Sequence, residues 1–116
     1  MRPRISTLDE FWPYYVSQHL NPINRRLHVY ATTLGLVLGI VALIWRAPSV
    51  AVLAVVVAYT FAWFGHFFYE KNRPATFTYP LLSLRADFRM YWLTLRGEMD
   101  AEILLLTKEL KRLRAE

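Results

Sequence analysis

The fold of this chain is decided by residues 29–69, VYATTLGLVLGIVALIWRAPSVAVLAVVVAYTFAWFGHFFY. Arg46 is the sole charged residue of this stretch. Each uncharged run beside Arg46 reaches the length of about 17–25 residues that crosses a bilayer, whereas a buried helix of a soluble protein needs only about 10–14. The Val-rich part, residues 50–57, runs on without a turn signal and is therefore too long for an ordinary strand. Pro48 suits the start of a second helix after a short turn. We predict an all-α integral membrane protein built on a hairpin of two antiparallel transmembrane helices, at about residues 28–45 and 49–69.

Length and composition fit a single membrane-embedded helical domain, residues 1–116. The chain is 55% hydrophobic and 20% charged, with a mean hydropathy of +0.21, whereas globular chains average about 45–50% apolar and about 25% charged residues. Apolar content this high excludes a disordered chain. Cysteine is absent, so the sequence offers no disulfide, thiol nucleophile or thiolate ligand, and any metal must be bound by imidazole and carboxylate groups.

The net charge of +5 suits either nucleic acid or an anionic membrane surface, and the placement of the charges favours the membrane. The turn between the two apolar runs carries only Arg46. Basic residues lie instead on the outer sides of the runs, among them Arg2, Arg4, Arg25 and Arg26 before the first run, and Lys71, Arg73, Arg85, Arg89 and Arg96 after the second. By the positive-inside rule, both termini are predicted to be cytoplasmic, in the inner membrane of a bacterium or the endoplasmic reticulum of a eukaryote. No nucleic-acid partner is expected.

Three shorter helices are predicted on the cytoplasmic side, at about residues 7–19, 81–96 and 98–114. A capping box at Thr7 and Glu10 starts the first of them. The second has an apolar stripe and a separate arginine face, which is typical of a helix that lies in the membrane interface. Its stripe consists of Leu81, Leu84, Phe88, Trp92 and Leu95. The third has a heptad seam suited to packing on the domain or, in a homo-oligomer, on a second copy of this helix. The seam consists of Met99, Ile103, Leu106, Leu110 and Leu113.

The hairpin brings two of the three histidines to one depth in the membrane. From His28 to the end of the first run is roughly 26 Å, and from the start of the second run to His66 is roughly 24 Å, at about 1.5 Å per residue. Packed helix axes lie about 8–10 Å apart, so both imidazoles can reach one ion. Glu70 follows His66 by one helical turn on the same face. His19 precedes His28 across a proline turn and can fold back over the site.

The pattern leaves several interpretations open. A single histidine at a helix end is more often a capping or snorkelling group, and Glu70 alone would suit a salt bridge to Arg73. Three histidines and a carboxylate at one depth favour a function, because ionisable groups at the hydrocarbon edge are unfavourable. Such ligands suit Zn, Mn or non-haem Fe, and a set of two histidines and one carboxylate favours Fe(II) oxygen chemistry. Zinc-dependent hydrolysis and a haem held by His28 and His66 stay open on ligand type and spacing.

Two sequence blocks resemble the signature of a known family. HLNPINRRLH, residues 19–28, has the pattern H-x-N-P-x-N-x-x-x-H, and GHFFYEKNRPA, residues 65–75, has the pattern G-H-x-x-x-E-K-x-R-P-A. Both are similar to the signature blocks of the small membrane 2-hydroxy-fatty-acid dioxygenases, the Mpo-like family of phytosphingosine degradation. The resemblance to the short branch of this family continues through residues 76–81 and 83–85.

The resemblance implies an enzyme that uses Fe(II) and O₂ to cleave a 2-hydroxy fatty acid into a fatty acid one carbon shorter, the reaction of fatty-acid alpha-oxidation. His19, His28 and His66 match the histidines that are expected to hold iron. Glu70 matches their acidic partner. The same four residues are therefore the expected metal-binding and catalytic residues.

The resemblance also suggests how a lipid substrate would bind. The carboxylate and hydroxyl of a 2-hydroxy acid can chelate iron, while the acyl tail stays in the bilayer or between the spans. An arginine fork suits the carboxylate, and the candidate residues are Arg25, Arg26 and Arg73. Asn21, Asn24 and Asn72 are expected either to orient imidazoles by hydrogen bonding or to serve as turn and cap residues. The alternative is a non-enzymatic small membrane scaffold, or a haem or metal carrier, whose histidines are structural.

Overall fold

The computed structural model describes residues 4–115, so Arg2 of the charge argument lies outside the described residues. Every regular element in this part of the chain is helical, which confirms the predicted all-α fold class. In chain order the elements are α1 (Leu8–Ser17), α2 (Pro22–Trp45), α3 (Pro48–Gly65), a π-helical turn (His66–Glu70), a 3-10 turn (Ala75–Phe77), α4 (Pro80–Leu95) and α5 (Met99–Ala115).

The helices α2 and α3 pack against each other as a hairpin, as the two apolar runs predict. The segments Pro22–Trp45 and Pro48–Glu70 are both long and apolar enough to cross a membrane. Only 17% of the most apolar window of each is buried within the protein, so most of this apolar surface needs another apolar medium, which lipid supplies. The tight turn between them is made by Arg46 in the left-handed conformation, with φ of 50°, followed by Pro48 in the first turn of α3.

The hydrophobic core formed by the helices outside the hairpin involves α1, α4 and the start of α5. Phe11 and Tyr15 of α1 are fully buried there, together with Ala86 and Met90 of α4 and Met99 of α5. Because α4 also packs on α2, this core ties the flanking helices to the hairpin. As a result, the segment that follows α1 lies beside the start of α2.

The apolar stripe of α4 faces away from this core. Its five predicted members, Leu81, Leu84, Phe88, Trp92 and Leu95, are all exposed, whereas Ser83, Ala86 and Met90 are the buried residues of the helix. An exposed apolar stripe on a helix beside two apolar spans fits the predicted interfacial placement. Of the arginines on the other face, Arg89 contacts the protein itself. It lies 3.1 Å from the carboxylate of Asp9 and 5.2 Å from the centre of the Trp12 ring.

The helix α5 packs on the domain through the first half of its predicted seam. Met99 is buried, and Ile103 and Leu106 are partly buried against the core. Trp12 of α1 donates a hydrogen bond to Glu102 at 2.8 Å. The last two members of the seam, Leu110 and Leu113, are exposed.

Candidate metal centre

Three histidines from three different segments meet at the end of the hairpin that is remote from Arg46. His19 follows α1, His28 lies in α2, and His66 opens the π-helical turn after α3. Their ring centroids are 4.7 Å (His19–His28), 4.5 Å (His19–His66) and 4.9 Å (His28–His66) apart. All three side chains are buried, and one ligand atom from each lies within 4.8 Å of the other two. The cluster has the dimensions of a metal site.

The three rings are nearly perpendicular to one another, with interplanar angles of 84°, 81° and 87°. Stacked imidazoles would direct their nitrogens along parallel lines, whereas perpendicular rings can direct them to one point from three directions. Three protein ligands leave further coordination positions of an ion free. Open positions of this kind distinguish a reactive metal site from a closed structural site.

The backbone fixes the orientation of His19 and His28 in the same way. In each case the ring Nδ1 donates a hydrogen bond to the carbonyl oxygen four residues earlier, from His19 to Tyr15 at 2.6 Å and from His28 to Asn24 at 2.9 Å. A carbonyl oxygen can only accept, so Nδ1 carries the proton and Nε2 presents its lone pair. Histidines that bind metals commonly use one nitrogen in this manner and ligate with the other.

His66 reaches the same arrangement through a side chain. Its Nδ1 lies 2.7 Å from Oδ1 of Asn72. The amide of Asn72 is oriented by its Nδ2, which donates to the carbonyl oxygen of Gln18 at 3.1 Å. Asn72 therefore holds the proton on Nδ1 of His66 and also contacts the segment that carries His19. Of the roles foreseen for Asn72, the hydrogen bond to an imidazole is the one that the structure contains.

The surroundings of the cluster suit a bound metal ion. Nε2 of His19 is buried and has no hydrogen-bond partner within residues 4–115, and an unpaired buried polar atom is unfavourable unless a ligand occupies its lone pair. Burial and the neighbouring His28 and His66 hold the pKa of His19 well below its ordinary value, so the ring stays neutral and able to ligate. A cavity of about 10 Å³ lies among the histidines, which is roughly the space of one water-sized sphere.

The dimensions of the cluster disfavour the haem alternative. A haem held by His28 and His66 would need its macrocycle between the two rings. These rings have centroids 4.9 Å apart, and the cavity between them has a volume of about 10 Å³. A single ion fits this space, and a macrocycle does not.

Glu70 lies beside the cluster and contacts the start of α2. One of its carboxylate oxygens accepts hydrogen bonds from the backbone N–H of Asn21 and from Nδ2 of Asn24, the latter at 3.3 Å. A carboxylate at a helix N-terminus is favourable, because the unpaired N–H groups there carry partial positive charge. Asn21 also caps α2, since its Oδ1 accepts from the backbone N–H of Ile23 at 2.8 Å. In this arrangement Glu70 joins the π-helical turn to α2. It is not one of the three residues whose ligand atoms lie within 4.8 Å of one another.

Asn24 of α2 and Gly65 of α3 are in close contact beside the cluster. Asn24 is fully buried. A Cβ atom built on Gly65 would lie 2.0 Å from Oδ1 of Asn24 and 3.3 Å from its Cα. Glycine is therefore required at residue 65, immediately before His66, for α3 to approach α2 at the depth of His28.

The three arginines proposed for substrate binding lie in different surroundings. Arg25 is buried and donates from Nη1 to the carbonyl oxygens of His19 and Leu20, at 2.9 Å and 2.7 Å. Arg26 is exposed and lines a separate cavity on the side of Thr94. Arg73 is exposed, with its guanidinium 5.4 Å from the centre of the Phe77 ring.

Asp87 and Tyr15 were missed by the sequence interpretation and lie next to the cluster. The hydroxyl of Tyr15 donates a hydrogen bond to Asp87, and the Tyr15 ring stacks on His19 with centroids 3.9 Å apart. Burial raises the pKa of Asp87 to about 7. One signal was available in the sequence: Asp87 is the sole acidic residue of α4, a helix that is otherwise basic and apolar.

Comparison with known proteins assigns most of the chain to a protein family. The model of a protein family described as 2-hydroxy-palmitic acid dioxygenase Mpo1-like matches residues 5–99. This range contains all three histidines, and it ends at the first residue of α5. No curated protein and no solved structure matches the chain significantly.

Proposed function

The chain belongs to the 2-hydroxy-palmitic acid dioxygenase Mpo1-like family, and from this premise we propose that it is a non-haem iron dioxygenase. It cleaves a 2-hydroxy fatty acid with O₂ and releases a fatty acid one carbon shorter, together with carbon dioxide and water. In this balance the substrate supplies all the electrons that O₂ accepts, so no separate reductant is required. The observation that carries the proposal is the buried group of three histidines, each with its Nδ1 in a hydrogen bond.

The proposed roles follow from what each residue contacts. His19, His28 and His66 hold the metal through Nε2. Fe(II), when bound, supplies a template for the hydroxyl and carboxylate of the substrate and activates O₂. Glu70 acts on the site through its hydrogen bonds to the start of α2, which carries Asn24 and His28.

The hydrogen bond between Tyr15 and Asp87 places a proton beside the cluster. Tyr15 contacts His19 through ring stacking, and Asp87 lines the same small cavity as the three histidines. A carboxyl group whose pKa is about 7 exchanges a proton readily at neutral pH. We assign to Asp87 the holding of its own carboxyl proton while substrate is bound, with Tyr15 remaining protonated and donating to the other lone pair.

The proposed placement of the chain in the membrane follows the distribution of arginines. Both termini and the histidine cluster lie at the cytoplasmic face, and the turn at Arg46 lies on the opposite face. The polar head of a fatty acid at the cytoplasmic rim can then reach the histidines, while its tail stays in an apolar medium.

The direct test is metal content and turnover of the purified chain. Protein reconstituted with Fe(II) without O₂ is expected to retain stoichiometric iron and, on admission of O₂, to convert 2-hydroxyhexadecanoate into pentadecanoate, measured by mass spectrometry. His28→Ala is expected to lose both properties, because water replaces an imidazole ligand poorly. The matched control is Tyr30→Ala, an exposed aromatic residue of the same helix, which is expected to retain both.

Two other results would contradict the proposal. Iron retained without any product would indicate a metal carrier. Full iron and activity in His28→Ala would show that the site lies elsewhere.

A further inference from the structure

A second cavity begins where the metal cavity ends and runs between the two long helices and α4. Its volume is about 240 Å³. The two cavities share four lining residues: His28, Tyr59, Ala62 and Asp87. Away from this shared end the lining is almost wholly apolar and includes Gly35, Leu36, Val55, Ala58, Leu84 and Phe88. We refer to this second cavity as the acyl groove.

Small residues form the floor of the groove. A Cβ atom on Gly35 would lie 3.2 Å from Cβ of Ala58, so α2 and α3 are in close contact there with little side-chain bulk between them. Ala31 and Ala54, which also line the groove, are buried. Larger side chains at these positions would fill the groove, so its existence depends on the small ones.

The dimensions of the groove fit a single alkyl chain. Leu36 follows His28 by two helical turns, so the groove extends roughly 12 Å from the metal cavity, about the length of a ten-carbon chain. A volume of about 240 Å³ over that length gives a mean cross-section of about 20 Å². This cross-section admits one extended hydrocarbon chain and excludes two chains side by side.

The outer wall of the groove is exposed apolar surface. Leu36, Val55, Leu84 and Phe88 are all more than 40% exposed, on helices whose other exposed residues are largely apolar. A chain can therefore enter sideways from a lipid layer without passing through water. The polar end of the groove is the end that carries His28 and Asp87, which matches an amphiphile with one polar head.

We propose that the acyl groove holds the alkyl chain of the substrate, taken directly from the lipid layer, with about the first ten carbons between α2, α3 and α4. The head of the same molecule then lies at the histidine cluster. This inference rests on the proposed function, since it takes the ligand to be an unbranched fatty acid with a metal-chelating head. Val55 and Leu36 lie at the outer end of the part of the alkyl chain that the groove encloses.

A photoreactive substrate tests the groove without turnover. The probe is a 2-hydroxyhexadecanoate with a diazirine near its tenth carbon, added without O₂ to the Fe(II)-loaded full chain in phospholipid nanodiscs. Illumination is expected to label peptides of α2 and α3 that line the groove, and excess unlabelled 2-hydroxyhexadecanoate is expected to remove the label. Label spread evenly over all lipid-facing segments, or insensitive to the competitor, would overturn the inference.

Two pairs of variants test where the alkyl chain of the substrate lies. Val55→Trp fills the outer end of the groove, and Val52→Trp places the same bulk at an exposed position of α3 outside it. Each methylene removed from apolar contact costs about fourfold in affinity. If Val55→Trp displaces two methylenes of the substrate chain, the affinity for the 2-hydroxyhexadecanoate probe is expected to fall roughly tenfold or more in this variant and not in Val52→Trp. Ala58→Leu adds bulk to the groove floor, and Ala51→Leu adds the same bulk at an exposed position of α3 outside the groove. Retained iron shows that each variant is folded.

The outcomes separate this inference from the proposed function. Specific labelling without formation of pentadecanoate would contradict the proposed dioxygenase activity and support binding of the alkyl chain in the groove. Formation of pentadecanoate, with equal affinity and chain-length preference in Val55→Trp and Val52→Trp, would keep the dioxygenase and overturn the groove. A chain-length profile from eight to eighteen carbons is expected to shift toward short chains in Val55→Trp.

Discussion

The guanidinium of Arg25 is hydrogen-bonded to the backbone of His19, with Nη1 2.9 Å from the carbonyl oxygen of His19. The same nitrogen lies 2.7 Å from the carbonyl oxygen of Leu20, and Nη2 lies 3.3 Å from Asp100 at the start of α5. A buried cation of the first long helix therefore holds the loop that carries a histidine of the cluster. In the sequence analysis, Arg25 was a candidate for binding a substrate carboxylate, and its contact with His19 was not foreseen.

We predict that Arg25→Ala lowers the affinity for Fe(II) by about 10–100-fold, because groups that orient a metal ligand typically contribute that much. Arg25→Lys should recover only part of it, because one ammonium nitrogen can replace Nη1 at the two carbonyl oxygens but leaves the contact of Nη2 with Asp100 unmade. Iron titration of the purified variants measures the effect, and Arg26→Ala, at the exposed neighbour, serves as the control. Normal iron affinity with a raised KM for the fatty acid would instead assign Arg25 to the substrate.

Glu70→Gln is predicted to keep most of the bound iron and to reduce turnover. A glutamine oxygen can still accept from Asn21 and Asn24, but the negative charge at the N-terminus of α2 is lost, an effect of about 0.3–1 kcal/mol on stability. Iron content and kcat are the two measurements, with Glu98→Gln as the control. Loss of iron as complete as in His28→Ala would show that Glu70 binds the metal directly.

Gly65→Ala should be strongly destabilising and should lower iron affinity. Its Cβ would meet Oδ1 of Asn24 at 2.0 Å, and overpacking of a fixed contact typically costs about 1–3 kcal/mol. Gly39→Ala is the matched control, because a Cβ there meets nothing within 4 Å and alanine stabilises a helix interior by roughly 0.5–1 kcal/mol. Thermal unfolding in detergent compares the two, and equal melting temperatures would contradict the close approach.

The pKa of Asp87 gives a prediction about stability and pH in the metal-free protein. Its pKa is raised from 3.8 to about 7 on folding, so the folded state binds more protons than the unfolded state between these values. The contribution of Asp87 to stability is therefore complete below about pH 4 and is lost as the pH rises to about 7.

Asp87→Asn mimics the protonated carboxyl group and keeps an acceptor for Tyr15. We expect its melting temperature to exceed that of the native chain at pH 8 and the difference to vanish near pH 4. Asp9→Asn, at an exposed ion pair with Arg89, controls for the loss of a carboxylate. A difference that is the same at both pH values would show that Asp87 is ionised in the folded state throughout.

The orientation of the hairpin is predicted from its arginines, with both termini on the cytoplasmic side. A reporter fused after the last residue that is active only in the cytoplasm is expected to be active, and one that is active only in the periplasm or lumen is expected to be silent. Insertion of either reporter at the turn near Arg46 should give the opposite result. Activity of the periplasmic or lumenal reporter at the C-terminus would reverse the assigned orientation.

The sequence by itself determined the helical hairpin and the meeting of His28 and His66. Both follow from one-dimensional properties, since apolar length sets a span and equal rise per residue brings the two histidines to one depth. The sequence also placed His19 within reach, because only a short turn separates it from His28.

Only the tertiary structure decided how the histidines are held and what surrounds them. Arg25 reaches the carbonyl oxygen of His19 only because the turn before α2 folds back on the helix. Asn24 against Gly65 and Asp87 beside Tyr15 are contacts between residues far apart in the sequence. Their formation depends on the angle and rotation at which helices pack, and no periodicity in the chain encodes these quantities. For that reason Asp87 was missed in the sequence, and it became part of the candidate site only when α4 was packed against α1 and the hairpin.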